Sequence, residues 1–309
     1  MLFRSASGCL SFCKVEGSLH GEQPRNTPKD CWVWQGSALS GRMAGFSRPH
    51  PHTHRLDRPC TGGSHAMSAT TSHTMPLMQP LRPETSLRFA CRPGVICFNE
   101  CCRELDLALF PYDVLRLRRA LGISSGEFMK KYVLVTQEDG QVFPICRLSM
   151  VDDGRASCVF VRREGCSVYA DRPAACRAYP VGRGASFRGD GSLSERLVLL
   201  QERHCHGFAE NCERSVAAYL EAQGLSEYNR FNDALLRLHQ HPRVLDGSFV
   251  PTERQLHRYV LALYDLDRFR RLPGRAAIQM ATRQEALPDR DEELLLLAID
   301  WLVRDFFGP

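Results

Sequence analysis

Hydrophobic and polar positions divide the chain into three stretches of different character. Before about residue 85 the apolar residues follow neither a helical nor a strand period, and Pro, Gly, Ser, Thr and His dominate. From Leu87 the pattern changes. Residues 105–132 predict two short helices: Pro111 suits a first turn, and Val114, Leu115, Leu117 and Leu121 follow at helical spacing. Gly122 stands where a left-handed C-terminal cap belongs, and Ser124-x-x-Glu127 reads as a capping box opening a second helix that turns Phe128 and Tyr132 inward. Short β-branched or aromatic runs at 133–136, 141–143 and 157–161 predict strands.

Beyond Cys212 the spacing is helical throughout. Val216, Tyr219 and Leu220 begin it, Leu235, Leu236 and Leu238 continue it, and Leu256, Tyr259, Val260 and Leu263 form a third stripe. A last helix over about 291–307 shows Leu294, Leu297, Ala298, Trp301 and Leu302 on one face, with an acidic start suited to the helix dipole. The expected fold is α+β: a small irregular cysteine-rich metal-binding domain of short helices and strands over 86–212, then an α-helical region over 213–309. Residues 1–85 are expected to be disordered or to precede the natural start, for which Met67, Met75 and Met78 are candidates.

Fourteen cysteines change the picture, because they are unevenly placed. Cys9, Cys13, Cys31 and Cys60 are scattered; eight fall between Cys91 and Cys176; Cys205 and Cys212 follow; residues 213–309 have none. The eight are Cys91, Cys97, Cys101, Cys102, Cys146, Cys158, Cys166 and Cys176. They match two four-coordinate sites, or one cluster plus one further site. Adjacent side chains diverge, so Cys101 and Cys102 suit two different metals, or one metal and one structural role, better than a single ion. The spacing lacks the repeated C-x2-C hairpins of structural zinc and also matches no ferredoxin signature, so iron–sulfur and zinc both stay open. Arg147, Arg162, Arg163, Arg172, Arg177 and Arg183 lie close in sequence and offset thiolate charge. Asp171 as N-cap and Pro173 just inside predict a short helix that delivers Cys176, and Gly165 the turn that presents Cys166.

The formal charge is +5, carried almost wholly by arginine, which fits a compositional bias better than a polyanion partner. No run of about 20 apolar residues exists to span a membrane. The N-terminus lacks a clean export signal, so a cytoplasmic location is expected, where thiols ligate metal rather than pair as disulfides. The patch His50-Pro-His-Thr-His54 reads as solvated chain rather than a chelator.

The group Phe89-x-Cys91, Cys97 and Cys101-Cys102, and above all Gly165-Cys-Ser-Val-Tyr-Ala-Asp-Arg-Pro-Ala-Ala-Cys-Arg-Ala-Tyr-Pro180, resembles the YkgJ-type cysteine-cluster proteins. The resemblance covers about residues 87–212 and implies a zinc- or iron-chelating domain with eight cysteines. Cys205-His-Gly207 matches the family's downstream Cys-x-Gly element and adds Cys205 as a ninth candidate ligand. The first group is more widely spaced than the family's C-x2-C-x2-C-C form. Two other functions compete with metal binding of unassigned role. Kinship of the family with flagellin lysine methylases implies an iron–sulfur-dependent enzyme, although no Gly-rich nucleotide loop or hydrolase elbow is present and no catalytic residue is identified. Residues 114–132 also suggest a helix-turn-helix regulator, but the second helix offers few side chains able to read base edges, so nucleic acid is not an expected partner. No protein partner is indicated.

Overall fold

The computed structural model describes Val33–Gln35 and residues 77–138, 140–272, 278 and 286–308. Cys9, Cys13, Cys31, Cys60 and the 50–54 histidine patch lie outside these residues. Its main sheet is built where the sequence pattern shows no strand. Val181–Phe187 and Leu193–Gln201 form a hairpin flanked by Val33–Gln35 on one side and Leu77–Leu81 on the other, all antiparallel. Gly182 allows the close pairing, since a Cβ there would stand 2.9 Å from a Val198 methyl. Arg183 is buried within this sheet, ion-paired with Glu195 and, at 2.8 Å, with Asp233. Both flanking strands fall in the stretch expected to lack structure, which therefore contributes two edges to the sheet. An edge position also tolerates Pro80.

The predicted helices form at their expected places. Helix α1 (Pro111–Leu121) ends at Gly122, whose φ of 65° is the left-handed cap conformation. Helix α2 (Ser125–Tyr132) begins at Ser124, whose hydroxyl accepts from the Glu127 N–H at 3.2 Å. Val133–Thr136 is a strand, as expected, and pairs with Ile145–Leu148; 141–143 forms no strand, and the strand expected over 157–161 is split into Ser157–Cys158 and Val161–Arg162. Helix α3 (Ala174–Ala178) carries Cys176, but Asp171 is not its cap. Asp171 ends the preceding turn and pairs with Arg116 at 2.5 Å, while the buried carboxylate of Asp113 accepts from the Ala174 N–H at 2.9 Å. A carboxylate from α1 thus satisfies the first turn of α3 across the fold.

The C-terminal region is helical: α4 (Val216–Ala222), α5 (Ser226–Ala234), α6 (Leu236–His239), α7 (Pro242–Leu245), α8 (Glu253–Tyr264), α9 (Leu266–Arg270) and α10 (Asp291–Phe307). These helices do not form a core of their own. Leu107, Leu117 and Phe128 share one buried cluster with Tyr228, Leu263 and Leu294, and Tyr112 stacks on Phe231 at 4.3 Å. Packing therefore continues across residue 212, where a domain boundary was expected. The N-terminal turn of α2 is tied to this region too, as Ser125 donates to Asp265 and Asp267, both at 2.7 Å. A second, smaller core of Leu87, Phe89, Val181, Leu197, Val216 and Tyr219 lies under the sheet. Among the described residues, no helix is long and apolar enough to cross a membrane.

Candidate metal centre

Between the two cores lies a cleft of 1420 Å³ whose wall contains Cys91, Cys101, Cys102, Cys158, Cys166, Cys176 and Cys205. Residues from both cores line it, including Phe89 and Tyr219 from one and Leu107 and Phe160 from the other. Separate short elements deliver the thiols. Cys91 follows the strand Ser86–Arg88, which pairs with Glu213–Ser215. That pairing is extended by Phe89 N–H to Cys212 C=O at 2.9 Å and Ala90 N–H to Gly207 C=O at 3.1 Å. Gly207 is required at this crossing, because a Cβ would stand 2.6 Å from the Phe89 ring and 2.8 Å from the Ala90 carbonyl oxygen. The same turn brings the His206 N–H to within 3.1 Å of the Cys97 sulfur and places Cys205 beside it.

Cys101 and Cys102 sit on a single 3-10 turn, Glu100–Cys102. Asn99 precedes it in the left-handed conformation, φ 71°, a region Asn enters more readily than most residues. Its side-chain amide donates to the carbonyls of Arg162 and Arg163 at 3.0 and 3.3 Å, fixing this turn against the hairpin of Val161–Arg162 and Gly165–Cys166. Gly165 has a φ of 129°, so the expected glycine-dependent presentation of Cys166 holds. Cys158 ends the two-residue strand Ser157–Cys158, paired with Met150–Val151.

Burial and crowding govern the chemistry of these thiols. Cys91 is solvent-exposed as a residue, yet its thiol is pushed up to about 11 by partial desolvation and by Cys101, Cys97 and Cys205 nearby. Cys101 is driven far up, first by its hydrogen bond with Cys102 and then by burial. Burial raises Cys176, with Cys158, Cys101 and Cys166 adding to it, and burial likewise raises Cys158, Cys166 and Cys205. Ionising several of these thiols together is unfavourable without a cation among them. Of the six arginines close in sequence, Arg172 favours the thiolates of Cys91 and Cys166, and Arg162 those of Cys158 and Cys166. Arg147 instead pairs with Asp106 and Glu138, Arg183 with Glu195 and Asp233, and Arg177 binds backbone carbonyls.

Cys146 stands apart from the other candidates. It is fully buried in the larger core near Tyr264, whose hydroxyl donates to the Leu109 carbonyl at 3.2 Å, and burial raises its thiol to about 12. It does not line the cleft. The alternation of buried Cys146 and Leu148 with less buried Ile145 and Arg147 is the strand signal that marks it as a core residue. Cys205 faces the cleft in its place. Cys212 accepts a hydrogen bond from Arg214 at 3.0 Å and also lies off the cleft, whereas His204 lines it. Two contributors escape the spacing argument. Asn99 looks like any loop residue in sequence, and Tyr179 looks like packing, although its buried hydroxyl lies beside Cys205 and Glu202 and is pushed far up by burial and by that neighbouring thiol.

Among the described residues, no three His, Cys, Asp or Glu side chains converge tightly enough to hold one ion as they stand. The thiols wall a cleft instead. The donor set nevertheless fits a soft or borderline metal, since thiolates select zinc and iron–sulfur centres over hard cations. No curated protein and no solved structure matches the chain. Residues 90–213 match the CxxCxxCC family model, described as a "putative zinc- or iron-chelating domain", and this is the segment that carries the cleft thiols. Within an α+β chain, residues 90–213 are thus similar to the CxxCxxCC "putative zinc- or iron-chelating domain", in agreement with the resemblance carried by the Gly165–Pro180 motif.

Proposed function

We propose that this protein binds an iron–sulfur cluster or zinc through Cys91, Cys97, Cys101, Cys102, Cys158, Cys166, Cys176 and Cys205, with Cys146 left to the core. The single observation that carries this reading is the cleft into which seven of these thiols face. Cys97 joins them through the void it shares with Cys91, Cys101 and Cys205. Between the two metals, iron–sulfur is the favoured reading. Thiols spread around a cleft of 1420 Å³ suit a polynuclear group better than a lone tetrahedral ion. Such a cluster would supply one-electron transfer; Phe89, Phe160 and Tyr179 would shield it, and Arg162 and Arg172 would offset its charge. Anaerobically purified protein should be brown and bleach with dithionite. A colourless protein that holds zinc decides for zinc.

An enzymatic role, such as methyl transfer to a protein lysine, draws on the cleft being larger than a typical small-molecule pocket of about 300–1,000 Å³. S-adenosylmethionine added to the reduced protein should then change the paramagnetic resonance spectrum; indifference favours electron transfer or a structural role. A DNA-reading role for α2 is disfavoured, since the helix start that would face base edges is engaged by Asp265 and Asp267.

A further inference from the structure

One face of α4 forms part of the cleft wall. Tyr219 lies in the helix and Gln223 at its C-terminal cap, four residues on, so they stand one above the other on a single face, and both line the cleft. Each holds an arginine. The Arg214 guanidinium lies over the Tyr219 ring, 5.9 Å from its centroid, and the Arg172 guanidinium donates to the Gln223 side-chain oxygen. Residues at this spacing have Cβ atoms about 5–6 Å apart, so two guanidiniums from different segments reach neighbouring places on one wall. Both arginines line the cleft and both are half-buried.

No carboxylate holds either of them. Arg172 also donates to the Tyr169 carbonyl at 2.9 Å and stacks on the Tyr169 ring at 3.8 Å, so three neutral contacts fix its plane. Arg214 donates to the Cys212 sulfur at 3.0 Å. Among the described residues neither forms an ion pair, whereas in the same wall Arg92 pairs with Glu210, and Arg103 and Arg155 both pair with Glu100. Glu213, next to Arg214 in sequence, is taken by the Ser86 hydroxyl. A guanidinium presents five N–H donors in a rigid fork that matches an oxyanion, and the contacts above leave most of them unused. Arg172 also favours the thiolates of Cys91 and Cys166, so this wall lies beside the thiols.

We propose that Arg172 and Arg214 form an anion-binding site that anchors a small molecule, by its carboxylate or phosphate group, at the α4 wall of the cleft. Such a site binds its anion whether or not the thiols hold metal, so it stands or falls independently of metal binding. Two guanidiniums that keep free donors and face a cleft of 1420 Å³ suit charge-assisted hydrogen bonds to a ligand better than a structural ion pair. Tyr169 lines the cleft beside Arg172 and is 60% exposed, so its ring offers apolar surface to the rest of the same molecule. Arg214 and α4 lie beyond the matched residues 90–213, which gives the C-terminal region a part in binding as well as in packing.

The test titrates the full chain, purified anaerobically, with inorganic phosphate and with succinate at constant ionic strength, by calorimetry, with metal content measured in the same samples. Saturable binding of at least one probe is expected. Phosphate alone points to a phosphate-bearing ligand, succinate alone to a carboxylate, and both to the shared oxyanion chemistry. Arg214→Gln and Arg172→Gln should each weaken binding by about tenfold or more, through loss of charge-assisted hydrogen bonds. Arg172→Lys keeps the charge without the fork, so it should bind less tightly than the wild type and more tightly than Arg172→Gln. Near-UV dichroism checks the fold of each variant. If Arg172→Gln does not fold, having lost its bonds to Tyr169 and Gln223, Arg214→Gln and Arg172→Lys decide. No saturable binding of either probe, or binding that the arginine variants leave unchanged, would overturn the site whatever the metal content. Metal-free protein that binds the anion through these arginines would uphold this site and remove metal binding alone.

Discussion

Gly207→Ala probes the crossing on which the Cys205 turn depends. The added methyl would stand 2.6 and 3.0 Å from two carbons of the Phe89 ring and 2.8 Å from the Ala90 carbonyl oxygen. Neither neighbour can yield cheaply. Phe89 is 3% exposed and packed against Phe208, Tyr179 and Tyr219 with ring centroids 5.2–6.0 Å away. Ala90 is held by its own N–H bond to Gly207, at 3.1 Å. Overpacking of this kind costs about 1–3 kcal/mol, and loss of the backbone bond adds about 1 kcal/mol. Reduced freedom of the unfolded chain returns about 0.4–1 kcal/mol. The net destabilisation is about 1–4 kcal/mol, which lowers Tm by roughly 2–14 °C for a folded unit of this size. Because Cys205 lies two residues before the crossing, metal content should fall with stability. Calorimetry and elemental analysis of the variant measure both. A Tm within about 2 °C of the wild type together with full metal content would refute the requirement for close approach at Gly207.

Cys146→Ala should keep its metal and spectrum while losing about 1–2 kcal/mol of stability, since it removes a fully buried sulfur and leaves Tyr264 bonded to the Leu109 carbonyl. Loss of metal from that variant would return Cys146 to the ligand set. His239 is half-buried, its ring stacks on Phe143 at 5.4 Å, and desolvation lowers it to about 4. Its folded value lies below the unfolded one, so its contribution is complete above pH 6.5 and is lost as pH falls towards 4, by about 3 kcal/mol in all. Urea titrations from pH 7 to 4 should show this slope in the wild type and not in His239→Gln; equal slopes in both would contradict it. Because one core runs from Leu107 to Leu294, thermal unfolding of residues before and after 212 should coincide when followed by near-UV dichroism and by limited proteolysis. Two separate transitions would restore a boundary there.

What the sequence reveals and what it hides follow from how local each signal is. Helices α1, α2 and α10 are legible because Pro111, Gly122, Ser124 and the acidic start of α10 act within one turn of the element they delimit. The hairpin of Val181–Phe187 and Leu193–Gln201 is not legible. Its first strand is buried on both faces except at its end and contains two glycines and an arginine, a composition that reads as loop. Only the opposing Val198, and Glu195 and Asp233 around Arg183, make that composition a strand. The site divides in the same way. Clustering of cysteines locates it, whereas membership depends on which way each side chain faces, and this separates Cys146 from Cys205. Asn99 is invisible in sequence because its partners are carbonyls more than sixty residues away.

The central claim is that the cleft thiols bind metal, and the metal content of the whole protein tests it most directly. Iron, zinc and acid-labile sulfide should be quantified per chain in anaerobically purified material, beside Cys176→Ser and Cys146→Ala. The account predicts stoichiometric metal in the wild type and in Cys146→Ala, and a clear loss in Cys176→Ser. A folded wild-type protein without metal, its cleft cysteines free or joined as disulfides, would contradict it.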